Sequence, residues 1–483
     1  MAGIGFRLRR MAEEQGLVGF FTGYSVAAAI MAGPWIMTVL TVLGVTMLSP
    51  DLDWFDAYIT HVYQVSLITV GFFQFPATRY LADLLYKKEY RQVFPSFHYT
   101  LLICLGITSL IGAFWAFTTP GPPALERLIV VCLMNIVSAQ WVSLVFLVTV
   151  HNYRAILGAF LVGGIVSIFS VNEYFGFNSN LDVLAGYTAG QALTLLILIG
   201  TLMSEYPAYE PFDKNCLVWL KRYPSLPLAG GLFYLGIFAD KFAFRYGGWL
   251  SGEGIMGRQV LAPWLYMSEP YEFLTFLAQL TVIPALAVFY IRVETGFYEV
   301  YKAFYKGIDD RRTLEELKEI KQQILQEMKS GALAVASAQA VISLLCFLVA
   351  PELLPNQVLS VTNTAILRAS IVAAFFAILL LLVIVLLLYF EFYREACFSA
   401  ALYTVLNYTF TVLTILITSD LYGWGAALAS CLAFLVAARI LWVRVDDLLY
   451  QTFSKSPVET LPEKVKGIPG VGRYRVQKGE LTC

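Results

Sequence analysis

Long apolar stretches alternate with short polar, often basic, segments along the whole chain. Apolar runs occupy residues 18–48, 57–81, 97–118, 128–150, 155–172, 182–203, 225–246, 268–291, 331–350, 364–390, 396–418 and 421–442. A helix needs roughly 20 apolar residues to cross the hydrocarbon core of a bilayer, and most of these runs meet that length. The pattern therefore predicts an all-α integral membrane protein of about twelve transmembrane helices. Two spans are irregular: 155–172 is short and rich in glycine (Gly158, Gly163, Gly164), and 225–246 carries Asp240 and Lys241. Without either one the count becomes odd.

The placement of charge tests that count, because Lys and Arg accumulate in cytoplasmic loops. With the N-terminus inside, 28 of the 33 basic residues fall on cytoplasmic segments and adjoining helix ends. Arg127, Lys241, Arg245, Arg258 and Arg368 are left for the outer side and the outer helix halves. Removing one span would put strongly basic loops outside. The expected topology is multi-pass with both termini cytoplasmic. Composition agrees: 58% of residues are hydrophobic and 14% charged, against roughly a quarter charged in soluble domains. The net charge of −1 points to no nucleic-acid partner. No cleavable signal follows Arg7, Arg9 and Arg10, so the first helix is expected to remain as an anchor.

This layout predicts an N-terminal six-helix bundle over 1–203, a cytoplasmic connector at 204–222, a C-terminal six-helix bundle over 223–444 and a basic cytoplasmic tail at 445–483. Two six-helix halves suit a transporter built around a central path. The longest loop, 292–330, is charged and reads as helix from Thr313, which stands at capping-box spacing from Glu316. Leu314, Leu317, Ile320, Ile324, Leu325 and Met328 share one face. That face suits either a helix lying on the bilayer or on its own domain, or a docking surface for a cytoplasmic partner.

Ionisable groups inside a membrane are costly, so each is a functional candidate. Lys241 and Arg245 are four residues apart on one helix face, with Asp240 about 100° round from Lys241. They suit a substrate path that binds polar or acidic groups of a sugar, an ion pair that exchanges between conformations, or structural pairing near the outer interface. Gln74, Asn135, Gln140 and Gln191 are further path candidates; they and Gln279, Gln339 and Asn407 are uncharged polar residues at membrane depth, for all of which interhelical hydrogen bonding is the plainer role. Gly33-Pro34, Pro76 and Pro284 interrupt spans one, two and eight and mark kinks that serve gating or packing.

The chemistry of catalysis is nearly missing. Seven scattered cysteines and three histidines form no metal-ligand spacing, and no P-loop, H-E-x-x-H or G-x-S-x-G motif occurs. No metal or cofactor is expected. Asp51-Leu52-Asp53 in the first outer loop is a weak D-x-D match, the sole feature pointing to a polytopic glycosyltransferase.

Five blocks, in order, carry a family resemblance: MAGIGFRLRRM leading to AGPWIMTVL; QFPATRYLADLLY; VFLVTVHNYRAI; GLFYLGIFADKFAFRY; and FLTFLAQLTVIPALAVFYIRVETGFYEVY. Together they resemble the PelG-type inner-membrane transporter of the Pel exopolysaccharide system, from the first residues to at least Tyr301. The resemblance implies a divergent member of the superfamily of lipid-linked oligosaccharide flippases and multidrug exporters (MOP), with two six-helix bundles around a central path. It also implies a biofilm polysaccharide substrate rich in N-acetylated amino sugars, a cytoplasmic glycosyltransferase that makes it, and other membrane components of the Pel complex as partners. The family's D-K-W block reads Asp240-Lys241-Phe242 here, so an aromatic ring remains although the Trp is lost. The run Arg292 to Thr295 matches at the inner end of span eight. Arg292 and Glu294 there, with Leu317 and Ile324 of the charged loop, are the partner-facing candidates. A lipid-linked oligosaccharide flippase or multidrug exporter of the same superfamily is the alternative reading.

Overall fold

A computed structural model describes residues 16–48, 53–148, 153–170, 179–206, 222–247, 258–262, 265–268, 270–350, 352 and 360–455. The first six helices are α1 (Gly16–Leu48), α2 (Asp53–Tyr86), α3 (Val93–Thr118), α4 (Ala124–Leu147), α5 (Tyr153–Phe169) and α6 (Asn180–Glu205). Then come α7 (Ser225–Tyr246), strands β1 (Arg258–Ala262) and β2 (Leu265–Ser268), α8 (Tyr271–Leu280), α9 (Ile283–Arg292) and α10 (Tyr298–Asp309). The chain continues through α11 (Leu314–Leu348), α12 (Val361–Tyr389), α13 (Tyr393–Ile417), α14 (Trp424–Asp446) and α15 (Leu448–Lys455).

Among the described residues nine helical stretches are long and apolar enough to cross a membrane, one of them the broken run Tyr271–Asp309 that comprises α8 to α10, and the apolar parts of α1 and α5 are shorter. The remaining span is α2, 34 residues long, which carries His61, Gln64, Gln74 and Arg79 within its length. Its polar side chains lower its hydropathy, and they have partners across a helix interface, described below. These spans, about twelve in all, form two six-helix bundles. In the first, α5 packs on α1 and α6, and α4 on α2, α3 and α6; in the second, α13 packs on α7 and α14, and α12 on α8, α11 and α14. Gly163 explains the glycine-rich α5: a Cβ there would overlap the Thr194 hydroxyl and the Gly190 carbonyl of α6. Small residues let helix backbones approach where lipid supplies no hydrophobic drive to association.

Two features depart from the hydropathy layout. Span eight is not one helix, because residues 281–282 form a turn and Pro284 starts the second segment, α9, where its missing N–H costs nothing. After α9 a π-helical turn, Val293–Phe297, leads straight into α10. The second departure is a short antiparallel hairpin, β1 paired with β2, in a chain otherwise read as all helical.

The 292–330 loop is likewise more ordered than its charge suggests. The Thr313–Glu316 capping box is present with both bonds formed, and the helix it starts runs unbroken for 35 residues into the ninth span. Gly331 is the one glycine in that helix, a cost of about 1 kcal/mol that leaves a helix intact. The hydrogen bonds from Thr313 hold the Glu316 carboxyl below its usual range. α11 folds back on α10, so its apolar face is covered by its own chain rather than by the bilayer surface. Leu317 and Ile320 pack beside Gly307, at 3.2 and 3.5 Å from where its Cβ would be. Leu317 and Ile324 are fully buried. The expectation that they face a partner is therefore corrected: an i, i+3, i+7 stripe is satisfied by the neighbouring helix. Lys321 fastens this pair to the end of α14 through the Asp446 carboxylate at 3.1 Å.

Candidate functional site

The bundles meet along an antiparallel pair, α2 from the first and α7 from the second, with α1 on α9 beside it. α7 suits this central place because its sequence is slim where neighbours press on it. A Cβ on Gly230 would fall well inside contact distance of the Gly71 carbonyl oxygen, Gly231 lies against the Phe72 ring, and Gly236 lies against Tyr403 of α13. From α13, Thr404 Oγ1 donates to the Leu232 carbonyl at 2.6 Å and Asn407 Nδ2 to that of Gly236 at 2.8 Å. These bonds fix α7 to its own bundle. Toward the other bundle, Tyr234 Oη donates to Gln74 Oε1 at 2.9 Å.

At the end of α7 nearest the β-hairpin lies a buried cluster of four charges: Asp240, Lys241, Arg245 and Glu272, with Arg245 0% exposed. Buried charges persist only when paired and hydrogen-bonded. Lys241 Nζ sits 3.3 Å from each oxygen of the adjacent Asp240 carboxylate, and Tyr271 Oη donates to Asp240 Oδ2 at 2.9 Å. Arg245 faces Glu272 of α8 with two prongs, Nε to Oε1 at 2.6 Å and Nη2 to Oε2. This fork is the strongest ion-pair geometry available to a protein. The third guanidinium nitrogen, Nη1, reaches across to α2, donating to Gln64 Oε1 at 2.7 Å and meeting His61 Nε2 at 3.3 Å. His61 Nδ1 lies 2.8 Å from the Ala57 carbonyl, which can only accept. That bond puts the ring proton on Nδ1 and leaves Nε2 to accept from Arg245.

All four charges are thus matched in pairs within the second bundle, and the cluster is formally neutral. In this conformation neither Lys241 nor Arg245 presents an unpaired positive charge. The structure brings Gln74 and Arg245 to one inter-bundle seam, with Asp240 and Lys241 nearby on α7 bonded within their own bundle. The other path candidates lie inside the first bundle: Gln140 Nε2 donates to the Gln191 carbonyl and side chain at 2.8 and 3.0 Å, and Asn135 accepts from Thr108 at 2.8 Å. Glu272, His61, Gln64 and Tyr271 belong to the site and were not singled out above. Glu272 had a usable signal, being the sole charged residue between Tyr271 and Ile291.

At the opposite end of the seam Arg79 of α2 pairs with Glu391, in the turn between α12 and α13, at 2.7 Å, with side chains 36% and 46% exposed. Arg292 is exposed. The side chains of Glu294 and Asp53, and all of Asp51, lie outside the described residues, as does most of the connector 204–222 and of the tail. Among the described residues, no group of three His, Cys, Asp or Glu stands ready for a metal ion.

Comparison with known proteins now bears on this arrangement. The family model of the PelG exopolysaccharide exporter (EPS-E) matches residues 1–453. The chain belongs to the PelG family. No curated protein matches it. Among solved structures it is similar to a multidrug resistance MATE family transporter of the MOP superfamily in an outward-facing conformation. That pair has a TM-score of 0.60 at 12% identity, covering 89% of this chain and 97% of that one. A MOP superfamily transporter from Pyrococcus furiosus matches with a TM-score of 0.58 at 12% identity, covering 88% and 96%. The Vibrio cholerae MATE transporter VcmN in its bent form matches with a TM-score of 0.57 at 12% identity, covering 89% and 99%. At this identity the structures establish the shared fold, and the PelG family match establishes a membrane transporter role in exopolysaccharide export.

Proposed function

We propose that this PelG-family transporter exports a Pel-type exopolysaccharide from the cytoplasm across a bacterial inner membrane, working beside a cytoplasmic glycosyltransferase and the other membrane components of the Pel system. It has no catalytic step of its own; the polymer is made elsewhere and passed through. The observation that carries this reading, beyond the family, is the seam. Polar and charged groups at membrane depth gather where the two bundles meet, which is where a path between bundles must open. The excess of Lys and Arg on one side supports an orientation with both termini and the α10–α11 pair in the cytoplasm and the β-hairpin outside. The division into 1–203, 204–222, 223–444 and 445–483 belongs to the same reading.

The test is secretion. In a Pel-producing bacterium whose own family member is deleted, expression of this chain should restore extracellular polymer. Asp240→Ala or Lys241→Ala should abolish it at unchanged protein level and membrane insertion. Restored drug tolerance with no effect on polymer would instead favour the multidrug-exporter reading. Normal secretion from both variants would remove this pair from the mechanism.

A further inference from the structure

The β-hairpin is an unexpected element in a helical transporter, and its position is informative. Its strand β2 belongs by sequence to the second bundle, immediately before α8. Yet the side chains of Leu265 and Met267 are buried in an apolar cluster of the first bundle, with Val45, Phe55, Tyr58, Val62 and Val130 among its members. The hairpin thus reaches over the seam. Its base is tied back to the charge cluster, because the Ser268 N–H donates to Glu272 Oε1 at 3.1 Å, the same oxygen that accepts from Arg245 Nε. Tyr266 also meets Tyr246 at the end of α7 edge to face, with ring centroids 5.4 Å apart.

We infer that β2 and Arg245 form a latch that closes the export path at the hairpin end, with Arg245, Gln64 and Met267 as the positioning residues that set the closed state. This inference rests on the export reading for its direction, outward, and on geometry alone for the latch. The design allows release. Arg245 takes its counter-charge, Glu272, from its own bundle and only uncharged acceptors, Gln64 Oε1 and His61 Nε2, from the other. When α2 draws away from α7 the guanidinium loses hydrogen bonds but never its ion pair, so no bare charge is left in a low-dielectric setting. Leu265 and Met267 make the remaining hold by close apolar contact, which is lost over a short separation. An ion pair split between the bundles at this depth would hold them together too firmly to cycle.

Spin-label distances on the purified full-length chain in lipid nanodiscs test this without reference to the substrate. One nitroxide pair, Ala124→Cys with Asp420→Cys, reports the hairpin end of the two bundles. A second, Lys87→Cys with Asp447→Cys, reports the opposite end; both are placed in a background whose native cysteines are replaced. Arg245→Gln and, separately, Met267→Ala should shift or broaden the hairpin-end distribution toward longer distances and leave the other end unchanged. Unchanged distributions at both ends, or equal broadening at both, would overturn the latch. Should Arg245→Gln fail to insert, the Met267→Ala arm decides by the same criteria. Because neither readout involves polymer, a latch that fails here is distinguishable from an export function that fails in cells.

Discussion

The two ends of the α2–α7 seam hold the bundles together in opposite ways. At the hairpin end the cation is fully buried, its counter-charge sits in its own bundle, and the inter-bundle contacts are to neutral acceptors. At the other end the Arg79–Glu391 ion pair itself spans the bundles, but both side chains are more than a third exposed. The difference follows from solvation. A charge in contact with water can lose its partner and be rehydrated, so an exposed pair is cheap to split and worth little. A buried charge has no such refuge and must keep its counter-ion through any motion.

The sharpest way to break this comparison is to remove the buried cation. Arg245→Met should leave Glu272 unpaired and destabilise the protein by about 3–5 kcal/mol, read as a large fall in thermal midpoint in detergent; a change under 1 kcal/mol would deny that Glu272 depends on it. Next, Gly230→Val forces side-chain atoms against the Gly71 carbonyl and should cost about 1–3 kcal/mol by overpacking, with the bundles pushed apart in cross-linking assays. Gln64→Leu removes one charged hydrogen bond and leaves the ion pair, so about 1.5–3 kcal/mol is expected, insensitive to salt because the site is buried. Thr313→Ala lies off the seam and calibrates the scale: loss of the cap should cost α11 about 1 kcal/mol, seen as faster amide exchange in its first turn with no change at the hairpin end. Arg79→Met should be smallest, roughly 0.5 kcal/mol, and should vanish at high salt. If Arg79→Met instead matches Arg245→Met, the contrast between the ends fails.

Much of the fold was legible along the chain. Twelve apolar runs, the capping box at Thr313 and the intramembrane position of Asp240, Lys241 and Arg245 could all be read from spacing and residue type. Partners could not. Arg245 finds Glu272 27 residues later and Gln64 181 residues earlier, and helical periodicity reports which residues share a face but not which helix that face will meet. The same gap explains Leu317 and Ile324, whose stripe was readable while the helix covering it was not. It also explains Gln140 and Gln191, whose hydrogen bond joins α4 to α6 inside one bundle. The hairpin was missed for another reason: nine strand residues give too short a pattern to stand out beside helical spans of more than twenty.

By itself, then, the sequence determined that this chain lives in a bilayer, that it offers about twelve apolar helices to cross it, and which residues are too costly to bury without a reason. Those properties follow from transfer free energy and local hydrogen bonding, which act residue by residue and turn by turn. Only the tertiary structure decided that the buried charges form matched pairs, that one bundle supplies the counter-ion and the other only neutral acceptors, and that a strand crosses the seam. Such choices depend on which helices lie side by side, and in lipid that is settled by close packing of small residues such as Gly71 and Gly230 rather than by hydrophobicity.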